Sequence, residues 1–331
     1  MKIAIFMVTY NHEKYIRQAV KSIVSQKTNF PYKLFIGEDC STDNTRAVCI
    51  ELQQKYPEKI ELILQEKNIG ALQNAAKVYK SCIEYGTYTA ICEGDDYWTD
   101  TNKLQKQVNF LEQNPDFNIC CHRASVLNEK NKTLKTPKAP KQSVFTQEDV
   151  ANHNFLVTQT EMFRNSAWKG LPDGYFNSIS GDYFINMMLS ENGKIKYFSD
   201  VMAVYRQHGG GSWHSLGVIK GIKSTLSVLN YYLQTDLKES VKENLKQNII
   251  RHYILLYNVQ KKNGNDFEAK NTLTEILQPC FLDALNTELF KFTEQKINKE
   301  AKTGRILLKP YYWFRKFISK IQFYIYRLRY E

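Results

Sequence analysis

Over the first 110 residues, short apolar runs alternate with stretches in which apolar residues recur every three or four positions. Residues 2–8 read as a buried strand, and residues 13–26 carry Ile16, Val20, Ile23 and Val24 at helical spacing. The alternation continues as strand 32–38, helix 45–56, strand 60–65, helix 71–84 and strand 88–92. Strands separated by helices of about 10–15 residues predict a parallel, doubly wound α/β sheet. Ligands of such sheets bind beyond the carboxyl ends of the strands. Here those ends hold Thr9-Tyr10-Asn11, Glu38-Asp39 and Glu93-Gly94-Asp95-Asp96, so the polar clusters fall on the functional edge.

The second half is less regular. Short strands are expected at 119–122, 194–198 and 203–206, a helix near 182–191, and a mobile loop over the Lys-, Thr- and Pro-rich residues 130–141. From 215 to about 289 the chain reads as amphipathic helix, and no internal repeat is present. The organisation expected is a domain over 1–212, a helical C-terminal region over 213–300 and a basic tail over 301–331.

Composition is that of a globular chain: 331 residues, 43% hydrophobic and 24% charged. The net charge of +11 would ordinarily raise nucleic acid or an anionic membrane as a partner. It is local, however. Residues 301–331 hold eight Lys and Arg against the single acid Glu331, which accounts for +7. Within that tail Phe314, Phe317, Ile318, Ile321, Tyr324, Ile325 and Leu328 recur on one helical face, with Arg315, Lys316, Lys320, Arg327 and Arg329 largely off it. A basic, aromatic-rich amphipathic helix suits the surface of an anionic bilayer, and packing on the protein's own helices is the alternative. Nucleic acid is not the expected partner.

The seven cysteines are odd in number and lack CxxC spacing, which reads as reduced thiols in a cytoplasmic protein. The apolar start is cut short by Thr9-Tyr10-Asn11-His12, so no signal peptide is expected. No run reaches the roughly 18 apolar residues of a spanning helix.

Paired carboxylates after a strand supply hard oxygen ligands for Mg²⁺ or Mn²⁺, which can clamp a diphosphate. Glu93 and Asp95 have that form, although acidic turns after strands are also common as solvated turns. The ensemble is more specific. Thr9-Tyr10-Asn11, then Glu38-Asp39-Cys40-Ser41-Thr42-Asp43, then Asn68-Ile69-Gly70, then Glu93-Gly94-Asp95-Asp96 follow one another in order. This series resembles the family 2 glycosyltransferases, inverting enzymes of the GT-A fold. Their pattern is S/T-Y-N, a D/E-D-G-S-x-D turn, N-x-G and D-x-D-D.

The resemblance implies a GT-A domain, Rossmann-like and α/β, with a C-terminal helical region. It also implies roles. Thr9, Tyr10, Asn11 and Asn68 would line the nucleotide pocket, and Asp39 would accept a hydrogen bond from a uracil or thymine imide. Asp95 would be the principal metal ligand, with Glu93 and Gly94 near the ribose or a metal-bound water. Cys40 stands where the family usually has Gly, and Glu93 where it has Asp. Asp182, in Ser180-Gly181-Asp182-Tyr183, matches the family's catalytic base, which deprotonates the acceptor hydroxyl; capping its own helix is the alternative. His208, before Gly209-Gly210-Gly211, would complete the metal shell, while Arg206 would offset diphosphate charge or pair with a carboxylate.

Tyr97-Trp98 could stack on a sugar or pack in the core, and 158–164 resembles the segment lining the sugars. His12, His122, His153, His214 and His252 are expected to be structural or surface residues. The function implied is transfer of a sugar from a nucleotide-diphospho donor, UDP-linked by expectation, to a glycan or lipid-linked acceptor. The setting implied is the inner face of the cell membrane, in assembly of a surface polysaccharide. A non-catalytic nucleotide-sugar or glycan binder of the same fold is the competing reading. A dinucleotide oxidoreductase lacks its G-x-G-x-x-G, a pyrophosphorylase its basic Gly-rich loop, and a hydrolase its G-x-S-x-G turn.

Overall fold

The computed structural model describes residues 2–210 and 217–276. Chain contacts divide it into two units, Met1–Gly217 and Val218–Glu331.

The first unit begins as the alternation predicts. Strand β1 (Ile3–Thr9) is followed by α1 (Ile16–Val24), β2 (Tyr32–Glu38), α2 (Thr45–Lys55), β3 (Ile60–Leu64), α3 (Ala71–Tyr85) and β4 (Tyr88–Ile91). Strands β3, β2, β1 and β4 lie side by side in that order and pair in parallel. Covered on both faces, β1 is apolar almost throughout rather than alternating, with Ile3, Ile5 and Met7 fully buried. They meet Ile16, Val20 and Ile23 of α1 and Leu34 and Ile36 of β2 in one core cluster. Helix α3 approaches β2 closely because position 37 has no side chain. A Cβ on Gly37 would stand 2.5 Å from Val78 Cγ2 and 2.6 Å from Asn74 Oδ1. The Asn74 amide uses that proximity to donate to the Gly37 carbonyl at 2.8 Å.

The sheet then changes character. After β5 (Tyr97–Trp98) and α4 (Lys103–Gln113) come β6 (Phe117–Asn128), β7 (Thr133–Lys135), β8 (Val144–Phe145), α5 (Gln147–Asn152) and β9 (Met162–Arg164). Helix α6 (Gly181–Leu189) and β10 (Lys194–Gln207) complete the unit. The order continues β4-β9-β6-β10-β5, with β9 antiparallel to both β4 and β6. The stretches expected as strands 194–198 and 203–206 form one strand. Strand β10 runs through the polar Ser199-Asp200 step by shifting register against β6 between Phe198 and Val201. The loop expected over 130–141 contains β7, paired to the end of β6.

In the second unit, α7 (Val218–Leu233), α8 (Glu239–Lys262) and α9 (Asp266–Ile276) follow. A buried hydrogen bond of 2.8 Å from Thr272 to Gln260 ties α9 to α8. The basic tail, Cys280 and His214 lie outside the described residues. No described helix is long and apolar enough to cross a membrane. The six described cysteines are free, and burial pushes the Cys49 and Cys120 thiols up to about 12, as inert packing thiols require.

Candidate active site

The carboxyl ends of β1, β2 and β4 face the end of β10. Residues after β1 are bound to those after β2 by a run of main-chain contacts. Asn11 accepts from the Thr42 N–H at 2.8 Å, its own N–H donates to Ser41 Oγ at 3.0 Å, and the His12 N–H donates to Thr45 Oγ1 at 2.8 Å. Both oxygens of buried Asp39 accept backbone N–H groups, from Ile69 at 2.8 Å and Gly70 at 2.9 Å, while Asn68 Nδ2 donates to the Asp39 carbonyl at 3.1 Å. Three of the polar turns named from sequence are therefore one hydrogen-bonded rim. Tyr10, Asn11 and Thr42 are among its exposed members.

The carboxylate turn sits against the same rim. The Gly94 N–H donates to the Val8 carbonyl at 3.0 Å, and a Cβ on Gly94 would lie 2.6 Å from Thr9 Oγ1 and 3.2 Å from His12 Nδ1. Only glycine lets the turn close this far. Asp95 Oδ2 then lies 3.0 Å from His208 Nε2 and 3.7 Å from His12 Nε2, and Thr9 Oγ1 lies 3.2 Å from His12 Nδ1. The Gly210 N–H donates to His208 Nδ1 at 3.3 Å. Burial alone would raise the Asp95 carboxyl, but the His208 hydrogen bond and the two imidazoles outweigh it and hold it below its ordinary value. Burial lowers His12, against the opposing pull of Asp95.

Glu93 has no such help. Burial, with Asp95 and Asp182 opposite, pushes it up to about 8. Asp182 lies in the first turn of α6, where burial raises its carboxyl and the N–H groups of Tyr183 and Asp182 itself draw it back down. Glu161, buried after β9's preceding 3-10 turn, belongs to the same acidic group. Burial and Asp182 push it well above the carboxylate range, and Asn186 Nδ2 reaches it at 3.4 Å. Carboxylates gathered this closely repel one another, and a divalent cation would supply a counter-charge. Two ligands at right angles on one cation, each at about 2.1 Å, stand about 3 Å apart. The Asp95–His208 separation meets that spacing, and an imidazole with a carboxylate is a donor set that suits Mn²⁺.

Asp96 faces inward. Its Oδ1 accepts the Arg206 N–H at 2.7 Å, and Gln159, with its amide oriented by its partners, donates to Oδ2 at 3.2 Å. The Arg206 guanidinium pairs with Glu129 at 2.5 Å and also binds Gln18. It lies between the Tyr15 and Tyr97 rings, 5.1 and 4.6 Å from their centroids. Of the two roles expected for Arg206, pairing with a carboxylate is the one formed. Beside it a cleft of about 460 Å³ is lined by Lys14, Tyr15, Glu129, Lys132 and Arg206.

Residues 4–208 match the sequence profile of the family described as Glycosyl transferase family 2. The chain belongs to that family. An uncharacterized protein of Mycobacterium tuberculosis is 34% identical over 214 residues, 64% of this chain and 60% of that one. The chain thus spans 60% of that relative's length. A dTDP-rhamnosyl transferase, RfbG of Shigella flexneri, is 33% identical over 124 residues, 37% of this chain and 41% of its own. Among solved structures, S. aureus TarS 1–349 in complex with UDP-GlcNAc superposes with a TM-score of 0.67, at 19% identity and 93% coverage of both chains. The mannosyltransferase PcManGT from Pyrobaculum calidifontis, in complex with GDP-Man and Mn²⁺, gives 0.57 at 12% identity over 98% of this chain and 86% of its own. The mixed sheet with helices following it is the GT-A fold.

Against the family 2 pattern, sequence reading named Glu93, Asp95, Asp182 and His208, which one electrostatic cluster unites or adjoins. His12, expected as a structural or surface residue, has Nε2 3.7 Å from Asp95 Oδ2. Glu161, in the segment 158–164 that resembles the one lining the sugars, adjoins the cluster without having been named singly. Trp98 is a core residue: it is buried, and its indole N–H donates to the Gln159 carbonyl at 3.0 Å. His122 is also buried, with Nδ1 2.9 Å from the Arg123 carbonyl, as a structural histidine.

Proposed function

We propose that this chain is an inverting, divalent-metal-dependent glycosyltransferase that moves a sugar from a nucleotide-diphospho donor to a hydroxyl of a glycan or lipid-linked acceptor. The observation that carries the reading is the acidic cluster of Glu93, Asp95 and Asp182 meeting His208 at the carboxyl ends of the parallel strands. UDP is the favoured carrier. Asp39 is positioned by the 69–70 turn and keeps an unused lone pair on each oxygen for an imide N–H. Thr9, Tyr10, Asn11 and Asn68 then border the nucleotide, and Glu93 and Gly94 the ribose.

A divalent cation, Mn²⁺ or Mg²⁺, held by Asp95 and His208 would neutralise the departing diphosphate. Asp182 takes the proton of the acceptor hydroxyl as that oxygen attacks the anomeric carbon. The bond from that carbon to the diphosphate oxygen breaks on the opposite face, and its electron pair leaves with the nucleotide. A carboxyl raised by burial is better matched to this proton transfer than a solvated one. The working division is a GT-A domain over 1–212, a helical region over 213–300 and a membrane-surface tail over 301–331, acting at the cytoplasmic face of the cell membrane.

A thermal-shift screen of nucleotide sugars with and without Mn²⁺ identifies the donor. With that donor, Asp182→Asn should bind UDP as the wild type does and lose both sugar transfer and donor hydrolysis, by at least about a hundredfold. Wild-type turnover by Asp182→Asn would overturn the base assignment. A wild-type protein that binds donor but never turns it over would be the non-catalytic binder.

A further inference from the structure

We propose that His12 is a third protein ligand of the cation, so that two imidazoles and one carboxylate hold it, and that this set favours Mn²⁺ over Mg²⁺. The inference rests on the metal-dependent reading of the site and extends it to a residue outside the family 2 motif.

The geometry makes the argument. One ligand atom from each of His12, Asp95 and His208 can be chosen so that all three lie within 4.8 Å of one another. His12 Nε2 stands 3.7 Å from Asp95 Oδ2, too far for a hydrogen bond but close to the spacing of two donors on one ion. The imidazole planes of His12 and His208 are 85° apart, with centroids 5.9 Å from each other, so the rings converge on Asp95 from different directions. The other nitrogen of His12 is already committed. Nδ1 lies 3.2 Å from Thr9 Oγ1; in the tautomer that carries its proton on Nδ1 and donates it there, Nε2 keeps its lone pair for the site, the arrangement by which metal-binding histidines are usually oriented.

The main chain is held as well. The His12 N–H binds Thr45 Oγ1 at 2.8 Å, and its carbonyl accepts the N–H groups of Tyr15 at 2.8 Å and Ile16 at 2.9 Å. Gly94, whose missing Cβ would lie 3.2 Å from His12 Nδ1, leaves room for the ring. A surface histidine would need none of these constraints.

Selectivity follows from ligand chemistry. Mg²⁺ prefers oxygen ligands and keeps its waters, whereas imidazole suits transition ions. Three protein atoms leave the remaining positions of an octahedron for diphosphate oxygens and water.

The test uses the whole chain with UDP and Mn²⁺. Electron spin-echo envelope modulation counts the imidazole nitrogens coupled to bound Mn²⁺, and the free Mn²⁺ signal gives its affinity, with Mg²⁺ measured by competition. Two histidine couplings are expected in the wild type and one in His12→Gln or in His208→Gln. His12→Gln should weaken Mn²⁺ by at least about tenfold and narrow its advantage over Mg²⁺. A single coupling in the wild type, with Mn²⁺ affinity unchanged in His12→Gln, would overturn the third ligand and leave Asp95 and His208 standing. No Mn²⁺ binding by the wild type with UDP would overturn both readings. The wild-type coupling count needs no variant, so the result does not depend on His12→Gln folding.

Discussion

At the scale of single residues, the rim of the site is assembled from backbone conformations that side chains seldom adopt. Asn11 and Cys40 both have φ of 56°, in the left-handed region. Asn tolerates it, because its short side chain can bond locally, and here Oδ1 is used by Thr42. Cys40 has no comparable compensation: its Sγ makes one weak contact, 3.6 Å from the Glu66 carbonyl. The family 2 pattern has Gly at that place, and the φ value supplies the physical reason. Cys40→Gly is expected to relieve on the order of 1 kcal/mol of left-handed strain, part of which the greater freedom of an unfolded glycine cancels. Urea denaturation should show a slightly raised midpoint with an unchanged slope. A clear drop would mean that the thiol contributes packing that outweighs the backbone.

At the scale of elements, the site depends on how β10 is delivered to it. Asp96 accepts the Arg206 N–H, and His208 follows two residues later against Asp95. Asp96 is thus a positioning residue. Asp96→Asn keeps an acceptor oxygen and should leave Mn²⁺ binding within a few fold. Asp96→Ala strands a buried N–H, at a cost of about 1–3 kcal/mol, and should weaken Mn²⁺ binding as well as stability. Equal metal affinity in both variants would remove the positioning role.

Beneath the same strands, Lys103 of α4 is fully buried. Its Nζ donates to Gln107 at 2.8 Å and lies 4.0 Å over the Trp98 ring, and burial lowers it to about 7. Below that value both folded and unfolded chains carry the proton, and the burial penalty is complete. Between about 7 and the ordinary 10.5 the unfolded chain binds the extra proton, so stability rises with pH. Measured against Lys103→Met, the wild type should gain stability between about pH 6.5 and about pH 9; a constant difference would mean that the amine keeps its charge when folded.

The same elements explain what was legible beforehand. Strands β1, β2 and β4 announce themselves because burial on both faces forces nearly continuous apolar runs, and each run ends at a polar turn of the site, whereas the edge strand β3 is only partly buried. His12 carries no periodic signal. Its position depends on Thr45 and on Gly94, which are distant in sequence. Likewise β10 reads as two strands because Ser199-Asp200 is polar, while its pairing with β6 simply shifts register there. Arg206 is a free cation in sequence and a neutralised one in the fold, since Glu129 lies 77 positions away.

At the scale of the whole molecule, charge is the property that separates site from surroundings. The candidate site is acidic and the cleft beside Arg206 carries Lys14, Lys132 and Arg206 against Glu129, yet +7 of the net +11 lies in residues 301–331. On the proposed function a lipid-linked acceptor would be met at a membrane, and the basic, aromatic-rich sequence of residues 301–331 has a composition suited to meeting one. Each Lys or Arg near an anionic surface contributes about 1 kcal/mol, so five of them dominate any binding they join. Replacing Arg315, Lys316, Lys320, Arg327 and Arg329 together by Gln leaves the tail's apolar residues in place and removes its charge. The full chain carrying these changes should co-sediment with anionic vesicles at least about a hundredfold more weakly, while its melting temperature and UDP binding stay as they were. Raised salt should erase the wild type's advantage, because the attraction extends only over a Debye length. Undiminished sedimentation of the Gln variant would mean that these five charges do not carry the attachment to the membrane.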